Sequence, residues 1–197
     1  MKKVLLLFVL LSAISQAQVF DKNVYFGLLF TTNGTVFKAD PSIGTITPDF
    51  GYGGSAFLRL KKGAVFFEAE AGYLQHQVIV SPDIAGTPVK SNYSLAGADL
   101  TAMVGWRVIG IGKLGNFRVF AGFNYGNYSK VSIKNNGTQV NDASVNTGNS
   151  SIVGGLGVDL WKVVLNFKYI HGISDISNVA DQKINSQCIS ASLGFKF

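Results

Sequence analysis

Residues 188–197 read CISASLGFKF. In an extended strand Ile189, Ala191, Leu193, Phe195 and Phe197 fall on one side, and Ser190, Ser192, Gly194 and Lys196 on the other. The last residues of most domains are poorly ordered and have little to pack against. Here the apolar stripe runs to the final phenylalanine. An apolar medium must therefore cover one face of this strand along its whole length.

The same alternation recurs through the chain. Eight strand-like segments lie at 23–32, 50–60, 64–76, 94–107, 117–130, 150–161, 162–171 and 187–197. Each is close to the ~9–11 residues of a tilted membrane strand, and helical periodicity is absent after residue 17. One stripe carries Phe26, Leu28 and Phe30, then Tyr52, Leu58 and Leu60, Val65, Phe67 and Tyr73, and Leu100, Val104 and Trp106. It continues through Val119, Phe123 and Tyr125, Ile152, Leu156 and Leu160, and Val163, Leu165, Phe167 and Tyr169, with no charge anywhere along it. The opposite stripe holds Ser55, Arg59, Glu68, Glu70, Asp99, Thr101, Arg107, Arg118, Asn124, Asp159, Asn166, Lys168 and Lys196, spaced by glycines.

Connections alternate in length. Residues 61–63, 108–116 and 161–162 make short links, whereas 33–49, 77–93, 131–149 and 172–186 are long and polar. Both ends of the chain are expected on the short side. Aromatics form two belts, with Phe26, Phe67, Trp106, Phe117, Phe195 and Phe197 toward the short links and Phe30, Tyr52, Tyr73, Tyr125 and Tyr169 toward the long ones. Long links on one side, short on the other and two aromatic girdles are the plan of a barrel that crosses a membrane. A soluble eight-stranded barrel of lipocalin type also alternates, but its polar stripe would be richer in lysine and glutamate than this one.

Composition agrees. Only 14% of residues are charged, while the chain has 23 glycines, 15 phenylalanines and seven tyrosines. Lipid accepts such a chain when the backbone closes all its hydrogen bonds. Residues 1–17 read as a secretory signal: Lys2 and Lys3, an apolar run from Val4 to Leu11, and small Ser15 and Ala17 before the cut. That run is too short for a spanning helix, which needs ~20 residues. The mature domain is then 18–197, with 15 basic and 11 acidic side chains left once Lys2 and Lys3 are removed. This mild excess, with no basic run longer than Lys61-Lys62, gives no reason to expect nucleic acid. The single Cys188 cannot form an internal disulfide.

On these residues the sequence resembles the small eight-stranded outer-membrane barrels of Gram-negative bacteria, the OmpA/OmpX-like and PorT-like outer membrane protein beta-barrel domain group. Its SASLGFKF (190–197) is similar to that family's terminal signal, which implies recognition of Leu193, Phe195 and Phe197 by the barrel-assembly machinery. The expected fold is all-β: an eight-stranded antiparallel up-and-down transmembrane β-barrel with short periplasmic turns and four long extracellular loops. A monomer in outer-membrane lipid is expected, with no cofactor.

An eight-stranded barrel is just wide enough for side chains to fill. The spacing predicts one lumenal charge network of Arg59, Glu68, Glu70, Asp99, Arg107, Arg118 and Asp159, with Arg107 opposite Arg118. The expected role is structural, or surface interaction with a protein or other ligand through the long loops. A narrow pore for ions or small solutes is the alternative reading. Some barrels of this kind modify lipids, and His171, Ser174 and Asp175, with His76 nearby, are the residues a hydrolase would use. No glycine-framed nucleophile elbow surrounds Ser174, so a non-enzyme is expected. The histidines and Cys188 have no metal-ligand spacing. Around Asn135-Asn136-Gly137 the pattern predicts a hairpin that carries two strands beyond the membrane.

Overall fold

The computed structural model describes residues 23–40, 45–81, 83–84, 87–88, 91–111, 115–135, 138–140, 148–174 and 183–197. The strands are β1 (Val24–Asp40), β2 (Thr45–Lys62), β3 (Val65–Ser81), β4 (Asp83–Ile84), β5 (Thr87–Pro88) and β6 (Ser91–Ile111). They continue with β7 (Gly115–Asn135), β8 (Thr138–Val140), β9 (Gly148–Leu160), β10 (Val163–Gly172) and β11 (Lys183–Lys196). Residues 1–17, the expected signal, lie outside the described residues.

Eight staves make a closed antiparallel ring. β1 pairs with β2, β2 with β3, β3 with β6, β6 with β7, β7 with β9, β9 with β10, β10 with β11, and β11 with β1. The closing seam runs from Gly27↔Lys196 to Asp40↔Lys183. Closure removes the unpaired edge that hydrocarbon would not tolerate.

Two short turns set the register at one end. Gly63-Ala64 is bracketed by Lys62↔Val65, and Trp161-Lys162 by Leu160↔Val163. Gly63 has φ +64° and Trp161 φ +53°, the positive values that tight hairpins need at their first central residue. Glycine adopts this freely, whereas a bulky residue there is uncommon. The exposed Trp161 ring is covered by the Lys162 ammonium, 5.5 Å from its centroid.

The two stripes separate as the alternation predicts. Leu28, Phe30, Tyr52, Leu58, Val104, Trp106, Phe123, Phe167, Ile189 and Leu193 all point outward and are exposed. Polar residues point into the lumen, where Arg59, Glu68, Arg118, Asp159 and Asn166 are each at most 3% exposed. Phe197 stacks on Phe26 at 5.1 Å and meets Phe195 edge-on at 5.3 Å, which fixes the outer aromatic patch beside the seam.

Strand lengths depart from expectation. β6 and β7 have 21 residues each, about twice the ~9–11 that a bilayer demands. Much of the expected long loops at 33–49, 77–93 and 131–149 is therefore paired strand, and the 108–116 link narrows to 112–114. Beyond the bilayer the outward face no longer has to be apolar. The alternation fades there while the backbone ladder persists. At Asn135 the chain turns back into β8, with Ile133↔Val140 and Asn135↔Thr138 in register, the expected hairpin.

The wall also divides at that end. β1 leaves β2 after Thr35↔Asp49 but stays with β11 up to Asp40↔Lys183. β11 in turn parts from β10 after His171↔Gln187. A β1–β11 ribbon thus rises separately from the tall β2–β3–β6–β7 wall.

The lumen is not purely polar, contrary to the two-stripe reading. Phe66, Met103, Phe120 and Val153 form one buried apolar cluster, and Leu29, Phe57 and Val164 another. Each phenylalanine of these clusters faces a glycine across the ladder: Phe57↔Gly27, Phe66↔Gly105 and Phe120↔Gly155. A Cβ on Gly155 would meet the Phe167 carbonyl and lie 2.6 Å from Cε2 of Phe120. Gly155→Ala should lower unfolding free energy by about 1–3 kcal/mol in urea titrations of the detergent-refolded barrel. Adding Phe120→Leu should restore part of that loss; no loss in the single variant would refute the packing account.

Candidate functional site

The lumen gathers most of the chain's buried charge, in separate tiers. Toward the short-turn end, β2 supplies Arg59, β3 Glu68, β7 Arg118 and β9 Asp159. Hydrogen-bonded register brings Arg59 opposite Glu68, and their side chains form an ion pair. Arg59 Nη1 donates to Asp159 Oδ2 at 2.8 Å. Arg118 Nη2 lies 2.9 Å from Asp159 Oδ1, and its Nη1 lies 3.8 Å from Glu68 Oε2. Lys196 Nζ reaches Asp159 Oδ2 at 3.2 Å.

Aromatic rings complete this tier. Both guanidinium groups lie over the Phe66 ring, each 5.3 Å from its centroid. Arg59 also lies over the Phe57 ring, 5.2 Å from its centroid. Desolvated cations over ring faces gain about 2 kcal/mol, which offsets part of the cost of burying the arginines. Arg118 Nη2 also donates to Asn166 Oδ1 at 2.8 Å.

The single expected network is instead three groups. Arg59, Glu68, Arg118 and Asp159 come together. Glu70 pairs across the lumen with Lys168 of β10. Asp99 is held by Asn124, whose Nδ2 donates to Oδ1 and Oδ2 at 2.8 and 2.9 Å and also reaches Thr101 Oγ1 at 2.9 Å. Arg107 does stand opposite Arg118, but it joins no ion pair among the described residues. A bulge between Arg107 and Ile109 turns both Val108 and Ile109 outward and leaves Arg107 half-buried at the mouth.

Lys168, Lys196 and Asn166 were legible as lumen-facing, yet their partners depend on contacts across the barrel that strand order alone does not supply. The apolar plug residues carry a signal of their own in the sequence. Leu29, Phe57, Phe66, Met103, Phe120, Val153 and Val164 share the parity of the polar stripe, not that of the lipid face.

The upper lumen is uncharged hydrogen bonding. Thr35 Oγ1 and His76 Nδ1 are 2.9 Å apart, and Tyr128 meets the imidazole edge-on at 5.5 Å. Asn149 Nδ2 donates to Ser186 Oγ at 2.9 Å. The Ser174 hydroxyl accepts from the Ser150 amide at 2.8 Å and donates to Asn149 Oδ1 at 2.9 Å. His171 stacks against Tyr169 at 6.4 Å on the outer face and does not bond Ser174, and Asp175 lies outside the described residues. No serine–histidine pair forms among these residues. Among the described residues no group of three or more His, Cys, Asp or Glu side chains could hold a metal ion.

The family model described as "Outer membrane protein beta-barrel domain" matches residues 4–197. The chain belongs to that family. Its place is the bacterial outer membrane, and its outer stripe faces lipid. Among solved structures it is similar to Ail, the attachment invasion locus protein of Yersinia pestis, with TM-score 0.47 and 12% identity over 89% of this chain and 99% of that one. It is also similar to Neisserial surface protein A, with TM-score 0.44 and 14% identity over 87% and 97%. The Escherichia coli outer membrane protein W matches with TM-score 0.38 and 14% identity over 87% and 98%. No curated protein matches the chain.

The lower tier yields a direct test. Glu68→Ala leaves Arg59 and Arg118 with Asp159 as the remaining carboxylate between them, a loss of about 3–5 kcal/mol for breaking a buried pair. The expected readout is an earlier urea midpoint with the barrel still folding at low denaturant. An unchanged midpoint would show that the cluster contributes no net stability.

Proposed function

We propose that this outer-membrane barrel is a closed scaffold that works through its extracellular end rather than through its lumen. One observation carries the reading. Across the lower half of the lumen, two apolar clusters and the arginine–carboxylate tier occupy the space that a water path would need. At the other end the staves continue well past the bilayer, and the wall divides into a ribbon and a tall sheet. Such a surface suits a protein or other surface ligand, and β8, which pairs only with β7 among the described residues, offers backbone groups for strand addition.

The barrel is proposed to act as a monomer and not as an enzyme, with residues 1–17 removed on export. Leu193, Phe195 and Phe197 are proposed to be read by the barrel-assembly machinery. They lie together on the outer face of the closing strand, where an incoming partner can reach them.

Purified barrel in planar bilayers should give no discrete conductance steps. Reproducible unitary steps that vanish on antibody capture of the protein would favour the narrow pore instead. Phe197→Ser should sharply lower the amount assembled in the outer membrane. Its detergent-refolded stability should change by only about 0.5–1.5 kcal/mol, the value of the lost ring contacts. Equal assembly of variant and wild type would remove the signal role.

A further inference from the structure

The short-turn mouth of the lumen carries more positive charge than its carboxylates neutralise. A cavity of about 40 Å³ lies there, with Arg59, Lys61, Arg107, Arg118 and Lys196 on its wall and Asp159 as the acidic residue among them. Glu68, the next nearest carboxylate, is already engaged by Arg59 and Arg118.

The cavity also has donors to spare. Arg59 Nη2 and Arg118 Nε and Nη1 are buried without a hydrogen-bond partner, in side chains 3% and 2% exposed. A guanidinium cannot shed its proton to escape this, because it stays charged at any ordinary pH. Arg107 and Arg118 face each other in register, a like-charge pairing that is unfavourable without something between. One water needs roughly 10–15 Å³, so the space admits more than one. Water can satisfy the orphan N–H groups and the orphan carboxylate oxygens Glu68 Oε1 and Asp159 Oδ1. It cannot balance the charge.

We infer that this mouth is a binding site for a small inorganic anion of chloride size, held between Arg107 and the unpartnered guanidinium edges of Arg118 and Arg59. The anion supplies the acceptor and the negative charge that the wall lacks, and it separates the facing arginines. Lys61 and Lys196 rim the entrance. Its chemistry is independent of any extracellular ligand.

The test is chloride-35 NMR on the barrel refolded in zwitterionic detergent micelles. Excess line broadening over empty micelles is expected, and Arg107→Gln should weaken the binding that causes it by about tenfold, the equivalent of one charge-assisted hydrogen bond. Lys162→Gln, on the outside of the neighbouring turn, should leave the broadening unchanged. If Arg107→Gln fails to refold, Lys61→Gln serves in its place and should reduce the broadening. Chloride should also raise the thermal midpoint of the wild type above that in gluconate, which is too large for the cavity, at equal ionic strength. Absence of excess broadening, or a response in the mouth variant equal to wild type, overturns the site.

Discussion

The fold rests on the obligation of every backbone N–H and C=O in the hydrocarbon region to find a partner within the chain. A sheet meets it only by closing on itself, and here β1 and β11 close it. Once the ring is fixed at eight staves, its bore is fixed too, and the side chains that point inward must fill it. The lumen is therefore a packing problem of narrow tolerance. Large residues are placed against none: Phe57 over Gly27, Phe66 over Gly105, Phe120 over Gly155. Glycines that weaken an ordinary strand here make room for the neighbour across the ladder.

The same bore explains why the charges sit where they do. Arginine has a long apolar stem and a flat head that can lie on a ring face while its edge bonds carboxylates. Arg59 and Arg118 use both properties against Phe66, Glu68 and Asp159. The lower lumen is thus neither a hydrophobic core nor a polar channel. It is an alternation of rings and ions in which each needs the other for desolvation to be tolerable.

Much of this was legible beforehand because the solvent has two sides. Period-two alternation must hold wherever one face meets lipid, so the strand count, the short turns, the lipid stripe and the inward set from Arg59 to Lys196 could be read directly. The reading weakened where lipid no longer enforced it. Above the bilayer the strands lose their apolar outer face but keep pairing, so much of what reads as loop is ladder. Inside, a hydrophobic residue type does not distinguish the lipid face from the lumen, so only parity marks Phe66 and Phe120 as inward. Cross-lumen partners such as Glu70 and Lys168 follow from barrel shear, which strand order does not encode.

The seam joins Gly27 to Lys196, so the pairing that completes the ring spans nearly the whole sequence. Folding rates fall as contacting residues lie further apart in the chain, and no subset of staves can satisfy its edges alone. The barrel cannot mature stave by stave as it is synthesised. The ring closes only once β11 is at hand. Until the seam forms, the edges of its alternating strands are unpaired and carry aggregation potential.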